Sequence, residues 1–297
     1  MDNLSVASDA GSAHDPADAG PTSDDAGSRS DATATTDGDA SNTAGGTGKV
    51  SVSQSRQPFS GLGGGVLGNF GFDYDPDFGA PNPALKCATS SVGSCRIQEC
   101  DVVSLPQDGG FPVVPSAGNI TVKGGKLGPT GVTLTPNAWG AYQGEPVLSQ
   151  LFASEDTLTL EATGAEVPAF SGQSVKAPSD IQVTAPAFSN LGSTKFPRDS
   201  DLDVVWTGAS FGDVLVTVTS VHMRVRAVTL SCTFQGSSGS ATIPTTALGK
   251  LDRVDGNTIT GAIGILPRTE ARFNAGAWNI AFRVTAMGNG GFYTVTN

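Results

Sequence analysis

Residues 201–244 carry the pattern that most restricts what this chain can fold into. Leu202, Val204 and Trp206 fall on one face of an extended segment. So do Val214, Val216 and Val218, and later Leu230, Cys232 and Phe234. The strands are read at 202–206, 213–218, a long run at 221–234, and 240–243. Period-two alternation of β-branched and aromatic residues marks strands buried on one side. A sheet with one dry face must cover it, and a second sheet is the usual cover. The expected fold is all-β, an antiparallel β-sandwich, Ig-like or fibronectin-like in the C-terminal half, behind a disordered N-terminal tail. No long helical period is visible.

The net charge of −11 belongs mostly to one end. Residues 1–48 hold nine Asp against one Arg, which leaves the other 249 residues with 19 acidic and 16 basic side chains. The folded part is close to neutral, and nucleic acid is a poor partner for it, because phosphate binding needs a concentrated basic surface. No apolar run reaches the ~18–20 residues that a membrane helix needs. Met1-Asp2-Asn3 opens without the basic start and apolar stretch of a signal peptide. Taken alone, that opening points to the cytoplasm. The tail and the cysteines argue for export, which then requires a signal outside this sequence.

Residues 1–48 are Asp, Ala, Gly, Ser and Thr in low complexity, with Asp-Ala-Gly recurring at Asp9, Asp18 and Asp25. Such a segment buries too little apolar surface to offset its ordering entropy. It is read as a solubilising tail or as a tether holding a folded domain off a membrane. An Asp/Ala/Gly/Ser/Thr tether ahead of a Gly-rich β domain with a few cysteines resembles the uncharacterised exported lipoprotein-type proteins of myxobacteria and related bacteria. In those proteins the tether follows a lipidated cysteine, whereas position 1 here is Met1. The resemblance implies a secreted or envelope-anchored protein, on the outer surface or in the periplasm. It carries no catalytic motif.

Two β regions are expected after the tail, 49–173 and 174–297, or one continuous assembly across both. Val50, Val52 and Phe59 open a first strand, and the glycines of 61–65 read as a loop. Asp73, Asp75 and Asp77 alternate beside Gly79, like the start of a calcium loop whose carboxylates converge on one cation. Pro76 interrupts that loop, and Ala84 stands where a bidentate Glu belongs. A solvated acidic turn is the competing reading, so no cofactor is assigned, with calcium as the exception to test. Trp139 and Tyr142 share a loop and either stack on a sugar ring or plug the end of a sandwich.

His222, Arg224 and Arg226 share one face of the 221–234 run, either to bind an anion or as a solvated face. His222 is the one histidine after the tail, and no Gly-x-Ser-x-Gly elbow accompanies it, which argues against a His-based hydrolase. Asp199, Asp201 and Asp203 alternate before Trp206, as strand-start residues, a cation site or glycosidase carboxylates.

Four cysteines allow three pairings. Gly93-Ser94 suits the turn of a hairpin spanning 85–103, because Gly takes the positive φ at the first central position. That register sets Cys87 opposite Cys100 and Val92 opposite Cys95. Cys95 then faces away and meets Cys232 if the hairpin packs on the later strands. Such a link would staple the early half of the chain to the late half.

Three functions follow as expectations. The first is a non-enzymatic, exported, surface- or envelope-tethered β-sandwich with a binding or structural role, its partner an unknown protein, surface or glycan. The second is a carbohydrate-binding or carbohydrate-active domain using Trp139, Tyr142 and carboxylates. The third is a calcium-dependent adhesin.

Overall fold

A computed structural model describes residues 45–57, 61–71, 75, 77–78, 85–103, 114–145, 149–189, 193–222, 225–252 and 259–296. These form eighteen strands. The first nine are β1 (Thr47–Gln57), β2 (Gly61–Gly71), β3 (Leu85–Val92), β4 (Cys95–Val102), β5 (Ile120–Gly124), β6 (Val132–Leu134), β7 (Tyr142–Gln143), β8 (Thr157–Ala162) and β9 (Phe170–Lys176). The others are β10 (Gln182–Ala185), β11 (Ser193–Pro197), β12 (Leu202–Thr207), β13 (Asp213–His222), β14 (Arg226–Gln235), β15 (Ser240–Ile243), β16 (Ile259–Ala275), β17 (Trp278–Thr285) and β18 (Asn289–Thr296). The fold is all-β, as the alternation requires; among the described residues it has one α-helical turn, α1 (Thr245–Leu248), opened by Pro244, and two 3-10 turns at Gly125–Leu127 and Gly236–Ser238.

One large sheet runs β3-β4-β14-β13-β16-β17-β1-β2-β7, with β18 beside β16 and β11 beside β18. Two small sheets cover it, β6-β5-β8-β9 and β10-β12-β15. Each encloses its own core. The first buries Ile120, Val122, Leu158 and Leu160 against Val50, Val52, Phe70, Ile280 and Phe282. The second buries Val183, Val204, Trp206 and Ile243 against Val214, Val216, Val218, Val228 and Leu230. Fully burying a side chain of this size contributes about 1.5–3 kcal/mol. The indole N–H of Trp206 is buried without loss, because it donates to the Gly236 carbonyl at 2.7 Å.

β16 joins the halves. Its early part pairs with β13 on one side and with β18 on the other. Its late part pairs with β17 from Arg268 to Ala275. Ile263 and Ile265 enter the second core, and Ala271, Phe273 and Ala275 pack in or against the first. All five are odd-numbered, so an unbroken alternation serves both cores from one face.

Several expectations change. The run at 221–234 is a hairpin, turned at Val225, whose N–H donates to the His222 carbonyl at 3.0 Å. The glycines of 61–65 open strand β2 instead of a loop, paired with β1 along its length. Glycine is needed there for close approach: a Cβ on Gly64 would lie 2.4 Å from the Ser53 carbonyl and 2.7 Å from Leu151. The folded region begins before residue 48, since Gly46 is buried and its carbonyl accepts from the Asn279 amide at 2.9 Å. Phe59 lies outside the described residues. The C-terminal strand β18 is interior, flanked by β11 and β16. Strands from both sides of residue 173 share the large sheet. Two joins are parallel, β1 with β17 and β11 with β18.

Gly93 takes φ 57° at the hairpin turn, and Cys87 stands opposite Cys100 in the β3–β4 register. Those two are bonded, as are Cys95 and Cys232, which face each other between β4 and β14. The second bridge lies within the large sheet, whereas an Ig disulfide joins the two sheets of its sandwich. The bridges have sequence separations of 13 and 137, for which chain entropy gives stabilisation of about 3 and about 5 kcal/mol. Replacing Cys95 and Cys232 by Ala should therefore lower stability more than replacing Cys87 and Cys100 by Ser. Urea unfolding of the two double variants measures the difference, and an equal loss would contradict the stapling role.

Candidate functional site

The core side of the large sheet is dry, so any site on that sheet lies on its other face. On that face the even-numbered residues of β16 divide into two groups. Arg268, Glu270, Arg272 and Asn274 are polar, while Ala262, Gly264 and Leu266 carry no charge.

Charge gathers where β16 passes from one core to the other. Arg268 and Arg283 have side chains only 8% and 7% exposed. The Arg283 guanidinium donates to Glu270 Oε2 through Nε at 2.7 Å and to Asp77 Oδ1 through Nη2 at 2.8 Å. Arg268 lies 3.6 Å from the same Asp77 oxygen and 3.5 Å from Asp213, and donates to the Thr233 hydroxyl at 3.0 Å. Arg96 takes the other Asp77 oxygen at 2.7 Å and Asp75 Oδ2 at 2.7 Å. Its guanidinium also sits 5.1 Å from the centre of the Phe78 ring. Asp75 Oδ1 accepts from the backbone N–H groups of Asp77 and Phe78.

Burial alone would push the Asp75 and Asp77 carboxyls upward. Hydrogen bonds from Arg96 to Asp75, and from Arg283 and Arg96 to Asp77, outweigh it and hold both below the ordinary carboxylate value. Burial, with Arg283 nearby, pushes the Lys49 ammonium down to about 8. Asp75 and Asp77 are thus anionic partners of three arginines. Asp73 lies outside the described residues. Among the described residues, no three His, Cys, Asp or Glu side chains converge as a metal site would need.

Trp139 and Tyr142 part company. Tyr142 is buried, edge-on to Phe70 at 5.8 Å between ring centres. Its hydroxyl accepts from the Ala117 amide at 2.7 Å and donates to the Gly118 carbonyl at 2.8 Å, so it fastens a loop over the first core. Trp139 is 53% exposed at the tip of a turn whose Asn137 Oδ1 accepts from the Trp139 and Ala141 amides. They form no shared platform.

The remaining candidates are structural in position. Arg226 is paired with Glu99 at 2.8 Å across the β4–β14 join, beside partly buried His222, and Arg224 lies outside the described residues. Asp201 accepts from the Thr245 amide and hydroxyl at 2.7 and 2.6 Å, fixing the start of α1. Asp203 accepts from the Thr242 hydroxyl across the β12–β15 join, and Asp199 is exposed.

One concavity escaped the sequence reading. Thr217 and Thr219 of β13, Ala262 and Gly264 of β16, and Gly291 and Phe292 of β18 line an open groove of 360 Å³. Phe292 is 68% exposed at its edge although β11 and β16 flank its strand. An aromatic ring standing up from the middle of a sheet, beside a glycine floor, has no packing role. The signal was there in Gly291-Phe292-Tyr293: alternation buries Tyr293, which stacks on Phe196 at 4.8 Å, and so turns Phe292 outward.

No protein-family model matches the chain, and no curated protein matches it in sequence. Among the described residues, no helix is long and apolar enough to cross a membrane.

Two outcomes are expected from the charged cluster. Asp77→Asn leaves buried guanidinium groups short of an anion and should cost about 3 kcal/mol. Because both folded carboxyls titrate below the ordinary 3.8, their contribution is complete above that pH. It is lost as pH falls further, through their lowered values. Urea unfolding from pH 7 to 2 should show the decline, and Asp77→Asn should reduce it. Millimolar calcium should leave the melting temperature unchanged, since Asp75 and Asp77 would have to exchange arginine for the cation. A rise that Asp75→Ala removes would restore the calcium site.

Proposed function

We propose that this chain is a non-catalytic, exported β-sandwich, held at the cell surface or envelope, that binds through the open face of its large sheet. The observation that carries the reading is the pair of cross-strand disulfides, one of them inside the second core. Oxidising compartments form and keep such bonds, and reducing cytosol does not. The acidic Ala/Gly/Ser/Thr tail supports it as well, through its likeness to the tethers of exported lipoprotein-type proteins.

The carboxylates that a glycosidase or an adhesin would use point the same way. Asp201 and Asp203 hold threonines, and Asp75 and Asp77 hold arginines. A carbohydrate-active reading built on Trp139 with Tyr142 loses its platform, because Tyr142 is buried. The open face beside Phe292, the most exposed of the large hydrophobic residues described, supports recognition there.

Non-reducing peptide mapping of the protein taken from the cells that make it tests the export reading. Both bridges should be found oxidised, and protease added to intact cells should remove the protein. Four free thiols would overturn the proposal.

A further inference from the structure

The groove beside Phe292 has features that narrow its ligand. Of the described residues that line it, none is ionisable. A phosphate, a carboxylate or an ammonium would lose its water there and meet no counter-charge, which excludes ionic ligands on desolvation grounds. What the groove offers is one aromatic face, the hydroxyls of Thr217 and Thr219, the latter 3.2 Å from the Thr229 hydroxyl, and a floor of Gly264, Gly291 and the small Ala262.

The pairing closes the groove floor to strand addition. At the groove, β16 is bonded on both sides: Ile263 stands opposite Val218 and Gly291, and Gly264 opposite Thr217 and Gly290. β18 is flanked in turn by β11. β13 and β16, which frame the groove floor, therefore offer no free backbone edge to an extended peptide, whose affinity in that mode comes from main-chain hydrogen bonds. Recognition has to proceed through ring contact and hydroxyls. Thr217, Thr219 and Val221 continue one row along β13, a span of roughly 13 Å at strand spacing. That makes a track longer than a single small molecule.

An electron-rich aromatic face beside hydroxyl donors and acceptors matches the alternation of C–H faces and hydroxyl edges on a neutral sugar ring. Gly264 keeps the floor open. A Cβ there would enter the groove and crowd the Thr217 hydroxyl at 3.0 Å. We propose that this groove binds a neutral polysaccharide, one sugar ring stacking on Phe292 while Thr217 and Thr219 engage its hydroxyls. The assignment rests on the reading of the chain as an exported binding module, and it places the sugar site away from Trp139.

The full chain is screened on an array of neutral β-1,4-, β-1,3- and α-1,4-glucans, xylan, mannan and galactan, and hits are titrated by calorimetry. Saturable binding to at least one is expected. Phe292→Ala should weaken it by at least about tenfold, whereas Phe292→Tyr, which keeps a ring, should retain it. Trp139→Ala should bind as the parent does. Phe292 is exposed, so its variants should fold, and oxidised bridges in each verify this. Failure of every neutral glycan to bind overturns the proposal. So does loss of binding in Trp139→Ala with Phe292→Ala unaffected, or self-association that Phe292→Ala abolishes, which would make the occupant a second copy. Any of these leaves the export reading standing, because only the state of the thiols decides that one.

Discussion

β16 has to serve two cores without a break in its alternation. Ile263, Ile265, Ala271, Phe273 and Ala275 point the same way relative to the strand, yet they meet two different small sheets. That leaves Arg268 and Glu270 on the opposite face at the crossing, with Arg283 of β17 on the same side. Withdrawing such charges from water costs several kcal/mol per ion unless partners and hydrogen bonds replace the solvent. Glu270 supplies one partner and Asp77 another. Asp77 answers Arg96, Arg268 and Arg283 together, so Asp75 and Asp77 act as an anionic cover without which the crossing would expose or strand two arginines.

The disulfides and the charged cluster depend on one another through β4. Cys95 and Arg96 are adjacent, so they leave opposite faces of the strand. Cys95 is tied to Cys232 in the core, which fixes β4 against β14 at a set register. That register brings Arg96 opposite Ser231, within reach of Asp75 and Asp77. Closure of the β3–β4 hairpin by Cys87 and Cys100 holds the outermost strand of the sheet, most of whose residues are exposed. Covalent bonds therefore secure the edge where apolar burial is least.

Alternation made the regular strands legible before any coordinates. Leu202, Val204 and Trp206 turn inward as read, and so do Val214, Val216 and Val218. The hairpin register carried over to both disulfides, because Gly93 fixes which residues oppose one another. Three features were not legible. Glycines in β2 look like a loop, since their value is the closeness of Leu151 and Ser53, which no local pattern announces. The late half of β16 mixes charges with Pro267 and resembles a connection, because its neighbours, not its composition, make it a strand. The role of Asp77 rests on Arg283, 206 residues away, and a lone acidic triplet gives no hint of that partner.

The division of the open face at Arg268 bears on function. On one side of it, guanidinium groups are matched by carboxylates from residues 75 and 77, so their charge is satisfied within the chain. On the other side, Thr217, Thr219, Ala262 and Gly264 need no cover, since nothing ionic lies beneath them. A fold that hides its charges at one end of a strand can leave the other end flat and neutral, with β18 and β11 pairing beyond it. Phe292 rises from that neutral region alone. Exposed apolar residues scattered singly need no explanation, but this one borders a groove whose floor is kept clear by glycine. The pairing that stabilises the sheet thereby also decides how it can be used: β13 and β16 are bonded on both sides at the groove floor, so side chains are what meet a ligand there.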